Sequence, residues 1–188
     1  KMVEIILVCT GDRFGEWYVN NILHMIQKNG KLKYDNVHVI RTGEGNYYDK
    51  LQMFRDFTDD VNYLYFDLDI IIKDDITHIL KNKFTVLNAW WRPAFHTPIN
   101  SSVISWRGDI SYIYDNFYKD EDYSRVKYWR GIDEYLFNET PHEIYDKICW
   151  SYYWSDGREL NYPICLFNHN QFKIMKELVW TRKYLLSE

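Results

Sequence analysis

From Tyr63 to Ile72 the chain reads Tyr-Leu-Tyr-Phe-Asp-Leu-Asp-Ile-Ile-Ile. A short apolar and aromatic run leads without a break into two carboxylates one residue apart, and the apolar run then resumes. Such a run predicts a buried strand of the kind found in helix-flanked parallel sheets. Residues i and i+2 of an extended segment point to the same side, so Asp67 and Asp69 converge on one point. Two carboxylates facing each other in apolar surroundings are costly, and a cation is the usual remedy. Oxygen ligands suit Mg²⁺, Ca²⁺ or Mn²⁺. In open α/β sheets ligands bind beyond the carboxyl ends of the strands, which is where this pair falls. The expectation is a divalent-metal site that holds a phosphorylated substrate. Asp-x-Asp alone is a short pattern. Asp59-Asp60 and Asp74-Asp75 show acids paired at ordinary loop positions, the latter as caps ahead of Ile76-Thr77-His78-Ile79-Leu80. Position at a strand end sets Asp67 and Asp69 apart.

The rest of the chain predicts strands alternating with helices. An apolar run over 3–9 reads as a central strand, followed by a turn at Thr10-Gly11-Asp12. Tyr18, Val19, Ile22, Leu23 and Ile26 recur at helical spacing, and Gly30 can end that helix. A strand over 37–40 leads into a loop at Thr42-Gly43-Glu44-Gly45-Asn46, with Asn46 as an N-cap. Leu51, Phe54 and Phe57 give the next helix its apolar face. After the aspartates, strands are expected over 84–88, 100–106 and 162–167, and helices over 108–117 and 131–138. The stretch 119–127 reads as a charged loop, and the tail over 174–186 as a helix. The alternation predicts a mixed, mostly parallel sheet flanked by helices, in one domain spanning 1–188.

Charge and cysteine usage narrow the function. A net charge of −4, with no Lys/Arg-rich run, argues against a nucleic-acid partner. The odd, widely spaced Cys9, Cys149 and Cys165 read as buried thiols of a reducing compartment, so the expected location is cytoplasmic. No apolar run is long enough for a transmembrane segment. Lys1 ahead of Met2 reads as a residue added before a natural start, or as the mark of a trimmed N-terminus. His24, His38, His78, His96 and His142 show no metal-ligand spacing, and there is no Gly-rich phosphate loop. Many of the 17 Tyr and 8 Trp must be core, and their excess over the 10 Phe suits a surface that stacks on bases or sugars, with a bias of composition as the plain alternative. Trp90-Trp91-Arg92, in a loop bounded by Pro93 and Pro98, is the sequence's candidate for a sugar platform at the cleft, with both indoles in the core as the competing account.

Several stretches, in order, carry a family resemblance. They are Thr10-Gly11-Asp12, Lys50-Leu51-Gln52-Met53-Phe54, Tyr65-Phe66-Asp67-Leu68-Asp69, Asn100-Ser101-Ser102-Val103, Gly131-Ile132-Asp133-Glu134-Tyr135-Leu136 and Phe167-Asn168-His169-Asn170-Gln171-Phe172-Lys173. The series resembles the GT-A-fold glycosyltransferases, most closely family 8, the glycogenin and lipopolysaccharide galactosyltransferase group. The chain departs from that pattern at three points. Ser102 stands where the family has Gly, Asp133-Glu134 lacks its Gln, and the terminal block lacks its Gly and Pro residues.

The resemblance implies a hexosyltransferase that uses a UDP-sugar donor, with retention at the anomeric carbon. It implies that Asp67, Asp69 and His169 hold Mn²⁺, or Mg²⁺ in its place, with Asp67 also near the ribose. Thr10, Asp12 and Asn100 would lie against the nucleotide sugar, and Lys173 would meet the diphosphate. Lys50 and Asp133 would lie at the donor sugar. The acceptor, whether carbohydrate, lipid-linked or protein, is left open. Two rivals stay open as well: a nucleotidyl- or phosphotransferase using the same carboxylates, and a sugar-nucleotide-binding module without turnover.

Overall fold

The structure is a computed structural model that describes residues 2–43 and 45–188; Lys1, and Glu44 of the expected loop, lie outside the described residues. Its main sheet has six strands. They are β1 (Val3–Thr10), β2 (Asn36–Thr42), β3 (Asn62–Phe66), β5 (Thr85–Asn88), β6 (Ile99–Arg107) and β7 (Glu143–Ile144), in the order β2-β1-β3-β6-β5-β7. β1 pairs in parallel with both β2 and β3, and β5 in parallel with β7, while β6 runs antiparallel between β3 and β5. A second sheet joins β4 (Ile70–Ile72), β9 (Ile164–Leu166) and β8 (Cys149–Ser151). The helices are α1 (Glu16–Lys28), α2 (Gln52–Asp56), α3 (Tyr112–Tyr118), α4 (Glu121–Lys127) and α5 (Ile132–Glu139).

The apolar runs of β1 and β3 are continuous because the sheet is covered on both faces. Ile5, Leu7 and Cys9 enter one core with Leu64 and Phe66, against Val19, Ile22, Met25 and Ile26 of α1. Ile6 and Val8 enter the other core with Tyr63 and Tyr65, against Met53 and Phe54 of α2, Phe117 of α3 and Leu136 of α5. The period-2 alternation thus sorts neighbouring residues between two cores. Packing at the end of α1 is close. A Cβ at Gly30 would stand 2.7 Å from both Ile26 O and the Ile76 side chain, so only glycine fits there.

Two expected segments are corrected. The stretch 119–127 is not a loop, since most of it forms α4. Asp120 accepts a hydrogen bond from the Tyr123 amide at 3.1 Å, and Glu121 pairs with Arg125 at 2.6 Å one turn on. The tail is not an α-helix. A 3₁₀ helix covers Gln171–Lys176 and turns follow. The Thr181 hydroxyl donates to the carbonyls of Met175 and Leu178, a side-chain alternative to helical pairing. Asn46 caps a 3₁₀ helix at Tyr47–Leu51 through the Tyr48 amide. All three cysteines are buried free thiols.

Candidate active site

Strand direction gathers the site. β1 and β3 are parallel, so Thr10 and the residues after Phe66 lie at the same sheet edge. β6 runs the other way, and its register pairs Phe66 with Val103. Asn100, Ser101 and Ser102 therefore lie beside Asp67, whose amide donates to Ser102 O at 2.8 Å. The small sheet continues from the aspartates. The Phe167 amide donates to Asp69 O at 2.7 Å, which brings the end of β9 alongside.

The two aspartates differ sharply. The Asp67 side chain is partly exposed, accepts a hydrogen bond from the Tyr65 hydroxyl, and lies 3.6 Å from Lys50 Nζ. Asp69 is buried, and its Oδ1 has no hydrogen-bond partner among the described residues. Burial, and then the Asp67 charge, push the Asp69 carboxyl up to about 7, against the opposing pull of Arg13 and Lys50. An orphaned buried carboxylate oxygen facing a second carboxylate is a donor set that a hard divalent cation fits. Asp67 and Asp69 are the residues that would hold it.

Lys50 is the hub of the positive charge. Its ammonium donates to Ser101 O at 3.2 Å and stands 5.3 Å over the Tyr65 ring. Its charge reaches both Asp69 and Asp133. Asp133 opens α5, which turns its carboxylate back onto β6. The Ser101 amide and hydroxyl donate to Oδ1 at 2.9 and 2.6 Å, and Asn100 Nδ2 lies 3.4 Å from Oδ2. Arg92 Nη2 donates to the same Oδ2 at 2.7 Å. Burial pushes the Asp133 carboxyl up, but Arg92, Lys50 and Ser101 together hold it below its ordinary value.

Other candidates lie further out. Thr10 is half-buried at the end of β1, paired in register with Thr42, and Asp12 is exposed in the turn beyond. His169 and Asn170 both have left-handed backbone, at φ 55° and 61°, uncommon for residues other than glycine. The His169 ring packs on Tyr153 at 4.4 Å. Burial, followed by the Arg92 and His96 charges, holds its pKa below the ordinary value. The structure does not draw His169 into one cluster with the aspartates. Among the described residues no group of three or more His, Cys, Asp or Glu is arranged to hold a metal. Lys173 is exposed.

The sequence reading missed Arg13, and it named Arg92 only as part of the Trp90-Trp91-Arg92 loop. Arg92 is the counterion of Asp133, and its Nη1 also donates to Thr97 O at 3.1 Å and Ile99 O at 2.7 Å. Arg13 acts on Asp69 and donates to Asn170 Oδ1 at 3.0 Å, tying the β1 turn to the terminal block. Arg13 directly follows Asp12, which is the one signal the sequence offers for it. The partner of Arg92 lies forty-one residues away, and nothing local announces it.

A scan against protein-family models found no match, and a search of curated proteins found none. Solved structures do match. A glycosyltransferase involved in the glycosylation of the major capsid of PBCV-1 aligns at TM-score 0.67, over 92% of this chain and 97% of its own, with 9% identity. The galactosyltransferase LgtC, solved with donor and acceptor sugar analogs, aligns at TM-score 0.65, over 89% of this chain and 87% of its own, with 8% identity. The apo form of the glycosyltransferase GlyE from Streptococcus pneumoniae TIGR4 aligns at TM-score 0.58, over 90% of this chain but 55% of its own, with 12% identity. The fold is therefore the GT-A glycosyltransferase fold, as the sequence resemblance implied. Among the described residues no helix is long and apolar enough to cross a membrane.

Proposed function

We propose that this chain, as a single GT-A-like domain, is a metal-dependent glycosyltransferase that moves a hexose from a UDP-sugar to an acceptor, with retention. The observation that carries the reading is the unpartnered, buried Oδ1 of Asp69, two residues from Asp67, just beyond the carboxyl end of β3. A sugar nucleotide departs as a diphosphate whose negative charge grows as the bond to the sugar breaks. A divalent cation on Asp67 and Asp69 would supply Lewis-acid neutralisation of that charge. Lys50 and Arg13 add fixed positive charge at the same edge. Tyr65 orients Asp67 through its hydroxyl. Asp133 is an ionised carboxylate locked in direction, suited to steady positive charge at the anomeric carbon. His169 is the third ligand by resemblance, and Thr10, Asp12, Asn100 and Lys173 are the proposed nucleotide and diphosphate contacts.

One observation favours the second reading, a nucleotide-sugar-binding module without turnover. Both oxygens of Asp133 are already engaged, by Arg92 on one side and Ser101 on the other. The test is a thermal-shift panel of sugar nucleotides with and without Mn²⁺, followed by assay for released UDP. Ligands that bind the folded state raise its apparent stability by mass action. The proposal expects Mn²⁺-dependent stabilisation by a UDP-sugar and slow release of UDP. Stabilisation without release selects the binding module. Release of pyrophosphate would point to nucleotidyl transfer.

A further inference from the structure

The indole pair offered as a sugar platform is only partly exposed. Trp90 and Trp91 are half-buried and packed against the first core, and Trp90 Nε1 donates to Cys149 O at 2.7 Å. A different set of rings is partly exposed. Phe95 stacks near His96, with centroids 4.7 Å apart, and His96 reaches Trp154 at 6.1 Å. Trp154 meets Tyr153 at 5.3 Å, and both meet His169, at 6.2 and 4.4 Å. Three distant stretches of chain thus bring five rings into one continuous cluster.

A good part of that cluster is open to water. Phe95 is 72% exposed, Tyr153 49% and Trp154 38%. Leaving so much apolar area in contact is unfavourable at about 25 cal/mol per Å². The backbone of Phe95 is nevertheless anchored, since Arg130 Nη1 donates to Phe95 O at 2.8 Å. Its composition selects the occupant. The five side chains are aromatic or imidazole, with no Leu, Ile, Val or Met among them. Flat faces with polar tips suit the apolar face and the hydroxyl rim of a pyranose, where a protein partner would be met by aliphatic anchors as well. Its location selects the role. His169, which borders the rings, lies in the block that β9 carries alongside Asp69.

We infer that the cluster of Phe95, His96, Tyr153 and Trp154, bordered by His169, is a carbohydrate-binding platform, the acceptor side of the site, and that the acceptor is a sugar chain. The inference rests on the glycosyltransferase reading for its role as acceptor site. The carbohydrate contact itself needs neither nucleotide nor turnover.

The test is saturation-transfer NMR on lactose, maltotriose and chitotriose, with the full chain and with Phe95→Ala, Trp154→Ala and the double variant. Both side chains are exposed, so thermal midpoints and UDP affinity should match the parent. At least one sugar should receive saturation at its ring CH protons from the parent. That transfer should fall by at least about fivefold in the double variant, the loss of roughly 1 kcal/mol of stacking. No transfer to any of the three sugars, or equal transfer in parent and double variant, overturns the platform. If Trp154→Ala alone perturbs the fold, the same comparison is read from Phe95→Ala, which sits on a separate loop. Sugar binding without UDP binding would leave the platform standing and sink the enzyme reading; UDP binding without sugar binding would do the reverse.

Discussion

Asp69 is the most consequential single residue, because its burial and its neighbour both oppose ionisation. Its carboxyl rises from an ordinary 3.8 to about 7 in the metal-free fold. A carboxyl raised on folding favours the fold while protonated. That contribution is complete below pH 3.8 and is lost as pH climbs through about 7. At about 1.4 kcal/mol per unit of pKa, the loss is on the order of 4 kcal/mol. Asp69→Asn keeps the shape and removes the titration. The metal-free variant should match the parent near pH 4 and exceed it increasingly toward pH 8, by a few kcal/mol. Urea melts across that range check this, and parallel pH profiles would contradict it. Arg92 is the second residue to isolate. Arg92→Leu leaves Asp133 partly buried without its counterion. Breaking one side of such a pair costs roughly 3 kcal/mol. Asp133→Asn should cost less, because the Ser101 donors remain satisfied. Equal, small effects in denaturant would mean that the pair is solvated.

At the scale of elements, strand geometry was legible and side-chain partnership was not. The run over 3–9 and the run before Asp67 are apolar on both faces, a signature that belongs to a covered sheet, and their alternation sorts residues into the two observed cores. The placement of Asp67 and Asp69 at a strand end followed from the same run. By contrast, β4, β8 and β9 are three residues each, too short for periodicity to mark as a separate sheet. α4 was hidden by its charge, although Asp120 and the Glu121–Arg125 spacing were available as a cap and an i,i+4 pair. The loop after β5 is folded on itself, with the Ala89 amide on Pro98 O at 2.9 Å, and tethered through Arg92. Trp90 belongs to that fastening. Trp90→Ala should cost about 2 kcal/mol, below the roughly 3–5 kcal/mol of a fully buried aromatic. It should leave UDP affinity unchanged. A neutral effect on stability would free Trp90 for the surface role first expected of it. The block after β9 makes a separate prediction. His169→Ala should weaken Mn²⁺-supported UDP binding more than Mg²⁺-supported binding, because imidazole favours the softer ion. Equal losses would remove His169 from the ligand set.

For the molecule as a whole, the sheet order puts one strand-end edge to work. Parallel β1 and β3 deliver Thr10, Asp67 and Asp69 there, antiparallel β6 delivers Asn100 and Ser101, and α5 returns Asp133 to the same place. The small sheet adds the His169 block and, with it, the exposed rings. Charge is arranged to match, with Lys50, Arg13 and Arg92 interleaved among Asp67, Asp69 and Asp133. Such a site should bind a diphosphate well only when a cation offsets the two aspartates. The direct measurement is calorimetric titration of UDP into the parent chain and into Asp69→Asn, each with Mn²⁺ and with chelator. The account predicts saturable binding to the parent with Mn²⁺, at least about tenfold weaker binding in chelator, a difference of roughly 1.4 kcal/mol, and no gain from Mn²⁺ in the variant. UDP affinity that is the same with and without Mn²⁺, or the same in Asp69→Asn as in the parent, would contradict it.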